Sequence, residues 1–341
     1  MSQGQYIDYP RWPSLAEESL RIDIKIPEKV RVRDRELNYG GTFRGVVISG
    51  MGGSGIAGDI VRDTLQDRLK IPIVVNKDLH LPPYVDDNYL VIAISYSGNT
   101  AETIRCYETC IDEGIPVITI STGGKLKELA ERNGTPHMTI PKATAPRYGL
   151  PCLLYSCLRA LGKALNMEDK VINEAENSIN YIRKGVEDYE RKFKSLADKL
   201  ANKFTMIYTP SPIASLGVRF KNDMNENAKQ PVAVCTIPES EHNDLAIHIR
   251  EIERLEILVV DAPSVRDTEH GVHVTALTKV LDELGRRYYR IELEGDSRLS
   301  EIMYGVTGLG MMTIDIARIV GVDPVKIEAI DRVKKYVTAR S

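Results

Sequence analysis

The segment Val46-Val47-Ile48-Ser49-Gly50-Met51-Gly52-Gly53-Ser54-Gly55-Ile56-Ala57-Gly58 constrains the fold more than any other stretch of this chain. A continuously apolar run, as expected of a strand buried on both faces, passes straight into a glycine-rich turn that opens a helix. Glycines let backbone amides approach an anion, and the helix N-terminus adds partial positive charge. The segment commits the chain to the α/β class and marks one end of a parallel sheet as a place where an anion can bind.

The rest of the first half repeats the alternation. Strands are expected at Val46–Ser49, Ile71–Val75, Leu90–Ser95, Pro116–Ser121 and His137–Pro141, and helices at Ser54–Gln66, Thr100–Glu113 and Lys125–Arg132. Short connections between alternating elements give a parallel sheet covered by helices. A second set follows, with strands at Phe204–Thr209, Val232–Cys235, Glu256–Val260 and Tyr289–Leu293 and helices at Ile213–Ala228, Asp267–Leu284, Leu299–Ile319 and Pro324–Val337. The proline-bearing stretch Lys142–Pro151 reads as the exit from the first half, and helical sequence from Cys152 to Lys203 bridges to the second. Its charge-rich part, Asp169–Lys199, reads as a solvated helix pair. The expected division is 1–152, an N-terminal α/β domain with an N-terminal extension, and 153–341, a helical linker with a C-terminal α/β domain. A length of 341 residues suits two domains.

Lys+Arg 45 against Asp+Glu 48 gives a net charge of −3, which argues against binding nucleic acid through bulk positive charge. The polar start MSQGQYIDYPRWP is not a signal sequence, and no run of 18 apolar residues predicts a membrane span. The five cysteines, Cys106, Cys110, Cys152, Cys157 and Cys235, include no CxxC pair and read as core residues of a reduced, cytoplasmic protein. Tyrosine is frequent (16) and phenylalanine scarce (4), which composition alone does not explain.

Three further motifs carry chemistry. Ile94-Ser95-Tyr96-Ser97-Gly98-Asn99-Thr100 ends another strand and opens another helix, with the hydroxyls of Ser95, Ser97 and Thr100 on one turn. Thr100 is placed to cap the helix. Two such turns at the same sheet edge suit a phosphate monoester, whose terminal oxygens take donors from hydroxyls and amides. Pro141-Lys142-Ala143-Thr144-Ala145-Pro146-Arg147 holds an arginine beside prolines on a loop. Asn225-Glu226-Asn227-Ala228-Lys229 places a carboxylate at a helix C-terminus, where the macrodipole disfavours it, and Pro238-Glu239-Ser240-Glu241-His242-Asn243-Asp244 puts His242 in a polar loop.

Gly50–Gly55 also satisfies GxGxxG, but the next strand ends Val75-Asn76-Lys77 without the acidic residue that holds a ribose, so a dinucleotide-dependent oxidoreductase is disfavoured. None of the six histidines forms HxH or HExxH; His248, His270 and His273 read as surface or structural, and no metal or other cofactor is called for.

GMGGSGIAGD, SYSGNTAET, PKATAPR, NENAK and PESEHN, in this order, resemble the archaeal-type bifunctional phosphoglucose/phosphomannose isomerases, built from two sugar-isomerase (SIS) domains. The 16-residue spacing from Glu226 to His242 is the most specific part. The resemblance implies an aldose–ketose isomerase acting on glucose 6-phosphate and mannose 6-phosphate. Gly53, Ser54, Ser95, Ser97 and Thr100 match the sugar-phosphate positions. Glu226 matches the base that moves a proton between C1 and C2, and Arg147 the cation beside the enediolate. His242 matches the ring-opening residue, which in the family comes from the neighbouring subunit of a homodimer. Lys334 matches a lysine near the ring oxygen. One departure is Ile327, which stands where the family carries a threonine linked to room for both C2 epimers; activity on both remains the expectation. The competing class is a non-catalytic SIS module that senses a sugar phosphate, which would not need Glu226, Arg147 and His242 together. No nucleic-acid or membrane partner is expected.

Overall fold

The computed structural model describes residues 6–338. An N-terminal segment of α1 (Trp12–Leu20) and an antiparallel hairpin, β1 (Lys29–Val32) and β2 (Arg35–Asn38), precedes the first sheet. That sheet is built from β3 (Gly45–Ser49), β4 (Ile73–Asn76), β5 (Tyr89–Ile94), β6 (Val117–Ser121) and β7 (His137–Thr139). Its helices are α2 (Gly52–Leu65), α3 (Ala101–Glu113) and α4 (Gly124–Asn133). All pairings are parallel and the order is β4-β3-β5-β6-β7. Every residue of β3 and β6 is buried, as their apolar runs require.

Helices α5 (Leu150–Ala164), α6 (Glu168–Lys192) and α7 (Lys194–Leu200) follow. The expected division at residue 152 lies in the first turn of α5. The second sheet contains β8 (Phe204–Pro210), β9 (Val232–Ile237), β10 (Leu255–Asp261) and β11 (Tyr289–Glu292) in the order β11-β10-β8-β9, again parallel. Its helices are α8 (Ala214–Asp223), α9 (Pro263–Arg266), α10 (Glu269–Glu283), α11 (Arg298–Ile319) and α12 (Glu328–Thr338). Numbered from its own first strand, the first sheet runs 2-1-3-4-5 and the second 2-1-3-4, so both halves share one doubly wound topology with a switch point beside the first strand.

Two expectations need correction. The charge-rich Asp169–Lys199 region is not simply solvated: α6 buries Val171, Ala175, Ser178, Ile179, Ile182, Gly185 and Tyr189, a stripe at helical spacing. That stripe lies on α11, and a Cβ on Gly185 would sit 2.9 Å from the Tyr304 carbonyl, so glycine is what lets the two helices approach. Helix α11 is itself long and apolar enough in composition to cross a membrane, but it is buried among α6, α7 and α8 as a core helix. The second correction concerns the helix expected over Ile213–Ala228. It is α8 preceded by a 3₁₀ turn (Ser211–Ile213) and followed by a π-helical turn (Met224–Ala228).

The N-terminal segment, for which the sequence offered no element, is tied firmly to the body. Tyr9 and Trp12 are fully buried, and the indole of Trp12 donates to the Tyr148 carbonyl at 2.8 Å. All five cysteines are buried and unpaired.

Candidate active site

In the first sheet, β3 and β5 are neighbours and their crossovers leave in opposite directions, so the turns after them flank the switch-point crevice. The two turns touch: the Tyr96 amide donates to Ser54 Oγ at 3.2 Å. A Cβ on Gly50 would lie 2.8 Å from the Ile94 carbonyl, which explains that glycine. Gly98 has φ +71°, and a Cβ there would meet the Gly123 carbonyl at 1.7 Å.

The hydroxyls are not spent on capping. Thr100 occupies the N-cap position of α3, but its side chain makes no cap bond and instead shares a 2.9 Å hydrogen bond with Ser95 Oγ. Ser95 Oγ accepts the Gly98 amide at 3.1 Å, and Ser97 Oγ accepts the Asn99 amide at 3.2 Å. Helix α2 also lacks a side-chain cap. In α2 the Ser54 and Gly55 amides already bond the Met51 carbonyl (3.0 and 3.3 Å), so that turn offers an anion the Ser54 hydroxyl and the positive end of the helix, and α3 offers its uncapped N-terminus.

The second half meets this edge through Arg147. A Cβ on Gly53 would lie 3.7 Å from Arg147 Cα, so the glycine turn and the arginine turn are in contact. Arg147 sits on a 3₁₀ turn (Pro146–Gly149) and is 3% exposed, a buried cation rather than a surface one. Its Nε donates to Asn227 Oδ1 at 2.8 Å. Nη2 donates to the carbonyls of Pro324 and Val325, and Nη1 points to Glu226 Oε2 at 3.4 Å. The guanidinium also stacks on the Tyr148 ring, 4.7 Å from its centroid.

Glu226 stands on the π-helical turn, its side chain 26% exposed. One inserted residue rotates the helix end, and such turns recur at functional sites. Lys229, left-handed at φ +56°, ends the turn and donates to the carbonyls of Glu226 (2.7 Å) and Asp323 (2.6 Å). Burial, then the charge of Arg147, push the Lys229 ammonium below its ordinary range. One turn earlier, burial pushes the Asp223 carboxyl up to about 6, while Arg219, donating to it at 2.8 Å, pulls it back.

His242 closes a 3₁₀ turn (Glu239–His242) after β9 and is exposed. Within the described residues of one chain it makes no hydrogen bond or ion pair with Glu226 or Arg147. Its neighbour Glu241 is fixed by His273 Nδ1 at 2.7 Å. The other histidines expected to be structural have structural partners: His248 Nε2 bonds Tyr208 OH at 2.8 Å and His270 Nε2 bonds Ser211 Oγ at 3.0 Å. Lys334 lies on α12, exposed, beyond the loop whose carbonyls Arg147 grips. Sequence reasoning missed Asn227, Tyr148, Thr313, Lys229 and the 323–325 carbonyls. Of these only Asn227 and Lys229 carried a signal, as part of the NENAK motif.

The class follows from the fold and this edge together. Residues 44–151 match the SIS domain, and residues 190–337 match the bacterial phospho-glucose isomerase C-terminal SIS domain. The C-terminal domain of glucosamine-fructose-6-phosphate aminotransferase from Francisella tularensis shares the fold (TM-score 0.75, 14% identity, covering 94% of this chain and 97% of that one). This is a two-SIS-domain protein. A bifunctional phosphoglucose/phosphomannose isomerase from Aquifex aeolicus is 33% identical over 86% of this chain and 90% of its own length. Another from Pyrobaculum calidifontis is 31% identical over 96% and 98%. The chain belongs to the bifunctional phosphoglucose/phosphomannose isomerase family.

Proposed function

We propose that the chain interconverts glucose 6-phosphate and mannose 6-phosphate with fructose 6-phosphate. The observation that carries the reading is the Glu226–Arg147 pair, a partly exposed carboxylate 3.4 Å from a buried guanidinium beside two serine turns. In this reading Ser54, Ser95, Ser97 and Thr100, with Gly53, hold the 6-phosphate. The closed sugar must open before its C2 proton is accessible. Histidine suits that step near neutral pH, so His242 moves the proton between ring oxygen and O1, with Lys334 near the ring oxygen. Glu226 then takes the C2 proton and returns it at C1, and Arg147 stabilises the cis-enediolate between them.

Both C2 epimers reach one enediol if the C2–C3 bond can rotate, so one base serves both sugars. The fixed charge of Arg147 does what a Lewis acid otherwise would, and the reaction is proposed to need no metal or other cofactor. His242 is exposed in the single chain, which fits its delivery to a partner's site in a homodimer. Buried, unpaired thiols suit a reducing cytoplasm. The division 1–152 and 153–341 follows the two sheets, with the site between them.

The test is fructose 6-phosphate offered to the purified protein with chelator present, glucose 6-phosphate and mannose 6-phosphate being read separately by coupled enzymes. Both products are expected. Tight binding of the sugar phosphate without conversion would favour a sensor.

A further inference from the structure

Arg147 has five N–H donors, and the structure shows where most of them go. Nη2 is held by two backbone carbonyls, Nε by one side chain, and Nη1 alone faces Glu226. The side chain that holds Nε is Asn227, fully buried and adjacent to Glu226 in sequence. Its amide is satisfied from both ends. Oδ1 accepts from Arg147 Nε at 2.8 Å and from Tyr148 OH at 2.9 Å, and Nδ2 donates to Thr313 Oγ1 at 2.8 Å. Thr313 Oγ1 in turn donates a hydrogen bond to the Gly310 carbonyl at 2.7 Å. That chain of bonds fixes which way the amide faces. A flipped Asn227 would set Nδ2 against Arg147 Nε, two donors face to face, and would lose the bond to Thr313.

We propose that Asn227 is a positioning residue for the reaction: anchored by Thr313 on α11, it aims Nη1 of Arg147 at the reacting atoms while leaving the cation's charge intact. The neutrality matters. An aspartate would accept the same Nε–H more strongly, but its negative charge would neutralise the guanidinium in a buried site where charges interact strongly. An amide supplies direction without quenching. The groups facing Glu226 are then Arg147, Lys229 and the buried Asp223, whose charge is already matched by Arg219.

The inference rests on the role proposed for Arg147, and a double-mutant cycle separates the two. Steady-state isomerase kinetics are compared for wild type, N227A, R147A and N227A/R147A, with N227D and T313V alongside. The expectation is that N227A lowers kcat by about 10- to 100-fold with KM within about threefold, because the cation is misaimed. In the R147A background the same change costs almost nothing. N227D lowers kcat too and moves the acid limb of kcat/KM up by about one pH unit, since a second carboxylate disfavours charge on the base. T313V lowers kcat less than N227A does. N227A with wild-type kcat, or with an equal loss whether or not Arg147 is present, overturns the proposal. If N227D does not fold, the cycle and T313V decide alone. Wild-type turnover in R147A would instead defeat the role of Arg147.

Discussion

A buried arginine whose neighbours are mostly neutral acceptors keeps its charge for something else, and at the residue scale that defines this site. Arg147 spends Nε and Nη2 on an amide and two carbonyls, and the one carboxylate it bonds among the described residues, Glu226, is partly open to solvent. Arg147→Ala is therefore expected to lower kcat by at least about 10²-fold while changing KM for fructose 6-phosphate much less, as measured by steady-state kinetics. A rise in KM at unchanged kcat would make Arg147 a binding residue. The two serine turns at one sheet edge were legible in the sequence because glycines and clustered hydroxyls are local features, whereas the Glu226–Arg147 contact spans 79 positions and was expected only through the family resemblance, as was the role of His242, which one chain does not bring to them. Asn227 was legible only as a letter in a motif. Its task depends on an arginine 80 positions away and on Thr313 86 positions away, and no local pattern encodes such a contact.

At the scale of elements, the strand–helix alternation was readable because buried parallel strands are short apolar runs and their helices keep a 3.6-residue period. The N-terminal segment was not, since α1 has only nine residues and its burial comes from Tyr148, Arg219 and α5. The π-helical turn has no sequence period of its own. Frequent tyrosine finds its account here as well. Buried Tyr9, Tyr107, Tyr155, Tyr208 and Tyr304 each carry the ring inside and the hydroxyl to a polar partner: Asp223, Thr135, Ser178, His248 and Asp188. The turn between β5 and α3 holds the glycine, Gly98, whose added Cβ would make the closest approach to another backbone atom. Gly98→Ala meets a carbonyl at 1.7 Å with φ at +71°. It should destabilise the fold by about 1–3 kcal/mol in denaturant unfolding and raise KM, because Ser97 and Thr100 ride on that turn. A variant with wild-type stability and KM would show that the turn is not held as described.

For the whole molecule, pH and assembly are the informative variables. Burial holds the His137 imidazole down at about 4 against an ordinary 6.5, with Nδ1 on Thr119 Oγ1 at 2.8 Å. Between those values the unfolded chain binds more protons than the folded one, so this contribution is complete above pH 6.5 and is lost as pH falls toward 4. His137→Gln should flatten the fall of unfolding free energy over that window; an unchanged slope would assign the acid sensitivity to other groups. Assembly bears on His242. If a partner supplies it, inactive E226Q and H242A proteins, unfolded together and refolded as mixed dimers, regain about one quarter of wild-type activity, because half the dimers then hold one complete site. Hybrids that form and stay inactive would place His242 elsewhere.

The central claim is that one base serves both sugars. The most direct measurement is the rate at which Glu226→Gln converts fructose 6-phosphate to each aldose. Both rates should fall together, by at least about 10²-fold. Loss of one activity with the other kept near wild type would contradict a single enediol handled by Glu226.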